Sequence, residues 1–258
     1  MSCYYYKKIN ETNDPILTNV DLTIVLIMEN STRFKYDPFL TSLSKETVLQ
    51  YNKGFKKCSK PDITKSSEDL IYSYFTAFQY CNHLNNVLIL EEDAEVLNKD
   101  LKHYEEIDKY LCGNFKVLSF GTNGVFKQVN KNFYNVNIAH GTQAQIFSKE
   151  FRDELILKFK NNNFKGEFDT TYLCNYVVSV YNFPLIVQKF PETENFNNWS
   201  GNKFLNKLGI KTLNLDNSLN GWYIIHLISK IRGISFYVII LIIAICFIKL
   251  QNFINIKI

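Results

Sequence analysis

"NNVLILEEDAEVLNKD", residues 85–100, drives four aliphatic residues straight into three consecutive carboxylates. Val87, Leu88, Ile89 and Leu90 read as a buried strand, because a short unbroken apolar run bounded by polar residues suits a strand covered on both faces. Glu91, Glu92 and Asp93 then stand at its carboxyl end. Like charges crowded there repel one another, so the arrangement requires solvent or a cation. In open α/β sheets, ligands bind beyond the carboxyl ends of the strands.

The flanking sequence supplies the rest of such a sheet. "DLTIVLIMEN" reads as a first buried strand, residues 23–28, and residues 31–54 as loop and helix closed by Gly54. "KSSEDLIYSYFTAFQYCNHL" reads as a helix capped by Ser66 or Ser67, with Glu68 and Asp69 in the first turn where the helix dipole favours them. Leu70, Ile71, Tyr74, Phe75 and Phe78 recur along it at helical spacing. "KDLKHYEEIDKYL" and "SKEFRDELILKF" are further helices, the second capped by Ser148. "KVLSF", "FYNVNI", "TQAQIF" and "FPLIVQKF" are further strands. Strands alternate with helices early and cluster late, which predicts α/β architecture: a mostly parallel sheet with helices on both faces, in one domain over residues 1–210.

Of the 258 residues, 46% are hydrophobic and 15% aromatic, enough for a packed core and against global disorder. The net charge of +4 comes without a long basic block, which leaves no electrostatic footprint for nucleic acid. Cys3, Cys58, Cys81, Cys112, Cys174 and Cys246 sit far apart, with no C-x-x-C pair to suggest zinc. The N-terminus lacks the apolar core of a signal peptide, so the domain is expected to be cytosolic with reduced thiols. Asn10, Asn30 and Asn198 head glycosylation sequons, which chance explains in an Asn-rich chain and which a cytosolic domain would not use.

The C-terminal part differs in kind. Residues 211–232, with Trp222, Tyr223, Lys230 and Arg232, read as a juxtamembrane segment. The uncharged run 233–248 covers roughly 24 Å as a helix, and snorkelling by Lys249 extends it, giving an expected transmembrane helix at 233–250 before a short tail, 251–258. The alternative is a buried core helix. Lys230 and Arg232 place the preceding domain on the cytoplasmic side.

In an extended segment, residues i and i+2 share a side, so Glu91 and Asp93 are expected to converge on one divalent cation while Glu92 faces away. Hard carboxylate oxygens suit Mg²⁺ or Mn²⁺, which take one or two carboxylates plus substrate phosphates and water. Such a metal neutralises charge growing on a diphosphate leaving group. The plainer reading is a solvated helix start.

"VLILEEDA" (87–94) resembles the "LILEDDA" signature of glycosyltransferase family 25, which includes lipooligosaccharide glycosyltransferases and collagen galactosyltransferases. "TIVLIMENSTRF" (23–34) sits where that family has its first strand and an Asn/Arg-containing loop. "EDLIYSYFTAFQYCNHLNNVLILEEDA" (68–94) matches the helix before the acidic motif. "HGTQAQIFSKEFRDEL" (140–155), "FDTTY" (168–172) and "FPLIVQKFPETENFNNWSG" (183–201) are similar to later segments, so the resemblance spans residues 20–200. Glu92 stands where the family has Asp, and Asn30 and Arg33 are the nearest counterparts in the first loop.

The resemblance implies the glycosyltransferase-A fold, a nucleotide-sugar donor, a divalent cation, and transfer of the sugar to a hydroxyl of a glycan, glycolipid or protein. Under it, Asp169 removes the acceptor hydroxyl's proton, with Glu167 as the substitute if Asp169 only caps a helix. His140 assists the metal or a phosphate. Asn30, Arg33, Glu92 and Gln188 contact the donor, Arg33 through its diphosphate, and Trp199 offers a sugar-stacking face. Each also has a bland reading as cap, core or surface. Two other functions compete. One is a catalytically inactive, membrane-anchored structural or glycan-binding protein. The other is a phosphoryl- or nucleotidyltransferase, which would need a Gly-rich phosphate loop or basic cluster that the sequence lacks.

Overall fold

The apolar runs near residues 23–28 and 87–90 become neighbouring parallel strands, in register from Leu22 opposite Val87 to Leu26 opposite Glu91. The computed structural model describes residues 2–60, 62–121, 123–140 and 142–188. In chain order these form β1 (Tyr4–Glu11), β2 (Leu22–Met28), α1 (Pro38–Thr41), β3 (Glu46–Asn52), α2 (Ser66–Tyr80), β4 (Asn86–Glu91) and β5 (Ala94–Val96). Then come α3 (Leu101–Leu111), β6 (Val117–Ser119), β7 (Asn123–Gln128), β8 (Phe133–His140), β9 (Ala144–Ser148) and α4 (Lys149–Asn161). A π-helix (Phe168–Leu173), β10 (Val178–Tyr181) and β11 (Ile186–Gln188) complete the described residues.

Nine strands form one sheet in the order β1-β3-β2-β4-β9-β6-β10-β8-β7, and β5 pairs with β11 in a separate two-stranded ladder. The sheet is mixed, which corrects the expectation of a mostly parallel one. Parallel pairing is confined to β3–β2, β2–β4 and β6–β10. The other five pairings are antiparallel: β1–β3, β4–β9, β9–β6, β10–β8 and β8–β7. A parallel pair needs a long crossover, whereas β7 and β8 are joined by a tight turn and β9 runs antiparallel between β4 and β6. Residues 189–258, including the expected juxtamembrane segment and the helix at 233–250, lie outside the described residues. Among the described residues no helix is long and apolar enough to cross a membrane.

Strand alternation sorts the core onto two faces. Val87 and Ile89 join Phe78, Phe147, Phe151 and Phe168 under α2, α4 and the π-helix. Leu88 and Leu90 join Leu40, Tyr104, Ile107 and Leu111 under α1 and α3. Asp100 caps α3 by accepting from Lys102 N, and Ser148 caps α4 by accepting from Phe151 N. At α2 the expected serine cap is replaced. Glu68, one turn in, reaches back to accept from Thr64 N and Lys65 N, so a carboxylate satisfies the orphan donors instead. The guanidinium of buried Arg152 donates to the carbonyls of Cys81, Leu84, Asn85 and Phe147. It thereby ties the turn before β4 to β9.

Cys3 and Cys58 form a disulfide across a sequence separation of 55, which corrects the expectation that the domain's thiols are reduced. It staples the start of β1 to the loop after β3, where Lys53 N also donates to Cys3 O. Closing a loop of that length restricts the unfolded chain, so Cys3→Ser is expected to lower stability by about 2–4 kcal/mol. Urea denaturation of oxidised wild type and variant measures this. Equal midpoints would mean that the native state gains nothing from the bond.

Candidate functional site

The parallel strands β3, β2 and β4 end side by side at Asn52, Met28 and Glu91, and a cavity of about 440 Å³ opens against those ends. Its walls come from the turn after β2 (Asn30, Ser31, Arg33), the loop after β3 (residues 53–57), the first turns of α2, and the acidic triplet. This is where an α/β sheet presents backbone and side chains to a ligand. Gly54 enables the loop to fold back. Its φ is +78°, and an added Cβ would lie 3.0 Å from Met28 Cε.

The triplet is not arranged by simple alternation. The strand stops at Glu91, and Glu92 and Asp93 form a turn into β5. Glu92 is therefore buried and inward, which corrects the expectation that it faces away. Its Oε2 accepts from Met28 N at 3.0 Å, and its Oε1 lies 3.3 Å from Arg33 Nε. Arg33 Nη2 donates to Asp93 Oδ2 at 2.9 Å, so one guanidinium spans both carboxylates. Arg's planar fork suits that role. Glu91 turns the other way, accepting from Tyr74 Oη at 3.3 Å and from the Thr142 hydroxyl.

Lost hydration, followed by the charge of Asp93, raises the Glu91 carboxyl to about 7. Burial, and then the nearby Glu91, pushes the Tyr74 phenol well up. Since folded Glu91 holds its proton more tightly than the unfolded chain, its contribution to stability is complete below the ordinary glutamate value of 4.5 and is lost as pH rises through about 7. Glu91→Gln is thus expected to flatten the decline in stability across that window in urea titrations. A decline equally steep in both proteins would assign the slope to other groups.

Asp169 opens the π-helix, a form often found at functional sites. Phe168 beside it stacks on Tyr74, with centroids 3.9 Å apart. Asp169 does not line the cavity. It is half-buried behind Tyr74, near enough for its charge to raise Glu91 and Tyr74 further, and it accepts from Thr170 N at 2.8 Å. Glu167 is exposed and accepts from the Thr170 hydroxyl.

His140 ends β8 two residues before Thr142, so its backbone lies within about 8 Å of the residue that donates to Glu91. Gln188 of β11 pairs with Ala94, the residue after Asp93. The side chains of both, and Trp199 altogether, lie outside the described residues. The structure thus gathers Asn30, Arg33, Glu91, Glu92 and Asp93 at one cavity, and brings Asp169 and the His140 and Gln188 backbones to its margin.

Sequence reasoning missed Thr142 and the loop lysines, and it read Tyr74 as core alone. The signal for Tyr74 is its place on the face of α2 that packs against β4, the strand that ends at the triplet.

Two carboxylates, Glu91 raised by burial and then by the charge of Asp93, form a donor set that fits a hard divalent cation. Among the described residues, no group of three or more His, Cys, Asp and Glu side chains is gathered as metal ligands.

No family model matches the sequence, and no curated protein matches it. Among solved structures, the crystal structure of A197 from STIV is similar over 52% of this chain and 68% of that one, at 14% identity and a TM-score of 0.35. A likeness of that size bears on neither fold nor function.

Proposed function

We propose that the protein transfers a sugar from a nucleotide-sugar donor to a hydroxyl of a glycan, glycolipid or protein, with the donor in the cavity at the ends of β3, β2 and β4. The observation that carries the reading is the convergence there of three carboxylates and Arg33 with the carboxyl ends of three parallel strands. The family 25 resemblance supports it.

Glu91 and Asp93 would hold Mn²⁺ or Mg²⁺, which when bound offsets charge on the leaving diphosphate. Glu92 holds Arg33 in place and fixes the β2 end through Met28 N. Asp169, off the cavity lining behind Tyr74, adds its negative charge to the Glu91–Tyr74 side rather than meeting the acceptor, and the buried Tyr74 keeps bulk water from that margin. The Cys3–Cys58 disulfide favours an oxidising compartment. The proposal therefore puts the domain outside the cytosol, anchored by residues 233–250.

One observation favours the inactive, glycan-binding alternative: Arg33 already neutralises two of the three carboxylates. The deciding experiment measures release of nucleoside diphosphate from a panel of nucleotide sugars, with and without Mn²⁺, alongside thermal shifts. Mn²⁺-dependent stabilisation and release by one donor support transfer. Stabilisation by glycans with no donor response would establish the alternative.

A further inference from the structure

The cavity is polarised along the sheet edge. Its acidic side hangs from β4, and the loop after β3 brings Lys53, Lys56 and Lys57 to the other side. With β2 between them, the two sides stand two strand spacings apart, roughly 10 Å. Among the described residues these three lysines pair with no carboxylate. Of the nearby acids, Asp69 is salt-bridged to Lys60, Glu68 lies 3.2 Å from Lys165, and Glu29, which lines the cavity at the end of β2, faces Tyr5. Ser66, the first residue of α2, lines the cavity as well.

The loop that bears these lysines is unusually well tethered for a surface connection. Gly54 N donates to Asn52 Oδ1 at 2.8 Å, and Phe55 N donates to Asp69 Oδ2 at 3.1 Å. Lys57 N and Cys58 N both return to Gly54 O. The Cys3–Cys58 disulfide and the buried Lys60–Asp69 pair close its far end. A buried ion pair is weak support for stability alone, since apolar residues of like volume often do as well. Here it holds a cationic loop in one place, which is what recognition of an anion demands.

We propose that the β3 end of the cavity is an anion subsite, in which Lys53, Lys56 and Lys57 take a phosphate monoester or carboxylate carried by the substrate. The site rests on the glycosyl-transfer reading only for what the anion is attached to. With the donor diphosphate at the β4 end, the second anion belongs either to an acidic donor sugar or to a phosphorylated acceptor.

Calorimetry on the full chain and on a Lys56→Gln/Lys57→Gln variant separates these. The probes are a nucleoside diphosphate with Mn²⁺, nucleotide-linked hexose against hexuronic acid, and free hexose against hexose 6-phosphate. In the donor arm or the acceptor arm, the anionic member is expected to bind about tenfold more tightly than its neutral partner, and the variant to erase that preference. The nucleoside diphosphate alone should change by less than about twofold. No preference in either arm overturns the subsite, as does an equal loss for the nucleoside diphosphate alone. Lysine-dependent binding of hexose 6-phosphate by a protein that binds no nucleoside diphosphate would keep the subsite and overturn the glycosyl-transfer reading.

Discussion

Lys60→Met is expected to lower stability by about 3–5 kcal/mol, more than any other single surface-loop substitution near the cavity. Lys60 carries its ammonium into a pocket where the side chain is 1% exposed, against Asp69 at 4%. Burial depresses the Lys60 pKa, and Asp69 partly restores it. The ammonium also stands 4.5 Å from the centroid of the Tyr4 ring. Removing it leaves Asp69 with only neutral donors, Asn52 Nδ2 and Phe55 N at 3.1 Å each and Tyr4 Oη at 3.5 Å.

Breaking such a pair from one side strands a buried charge, which is why the loss exceeds the worth of the pair itself. Lys60→Met/Asp69→Leu should recover part of the loss but not all, because Asp69 also anchors Phe55 N. Urea midpoints of the two variants test this. A double variant as unstable as the single one would mean that the network of hydrogen bonds, not the stranded charge, dominates. A loss below about 1 kcal/mol in the single variant would show that water reaches Asp69.

That network also explains where sequence reading stopped. The strands at 22–28, 86–91 and 144–148, and the helices α2, α3 and α4, carry continuous apolar runs or helical spacing with caps, and these are local signals. β3 falls in the stretch 31–54 that reads as loop and helix. Its Thr47, Gln50 and Asn52 are buried, yet they look like surface residues because their partners lie on another element. Gln50 Nε2 donates to Ser73 O, and Asn52 Nδ2 donates to Ser73 Oγ. Polar residues satisfied by partners 21 and 23 positions away leave no periodicity to read.

The same gap hid the lysine loop, since three lysines near a glycine resemble any solvated turn until β3 is known to end beside β2. The acidic triplet, Asn30 and Arg33 were legible because each follows an unmistakable apolar strand. Their geometry was not. Alternation holds only while the backbone stays extended, and the chain turns at Glu92 and Asp93 into β5, which is held by its ladder with the sequence-distant β11.

That turn sets the outcome at the triplet itself. Asp93→Asn is expected to slow turnover about 30- to 1000-fold, the scale of losing one preorganised electrostatic contact of ~2–4 kcal/mol. Glu91→Gln should act similarly if both carboxylates share a cation. Glu92→Gln should be milder in turnover, since its amide oxygen still accepts from Met28 N and Arg33 keeps Asp93. It should nevertheless cost stability, because Glu92 is buried and its charge faces a guanidinium.

The competing account makes Asp93 only the seat of Arg33. Arg33→Met separates the two. If Asp93 serves Arg33 alone, Arg33→Met and Asp93→Asn lose turnover equally, and neither changes the Mn²⁺ concentration required. If Asp93 holds the cation, Asp93→Asn raises that concentration, whereas Arg33→Met leaves it unchanged or lowers it, because removing the guanidinium frees carboxylate charge for the metal. A lower Mn²⁺ requirement in Arg33→Met is the more telling result, since a loss of activity has many causes and a gain in metal affinity at this site has one.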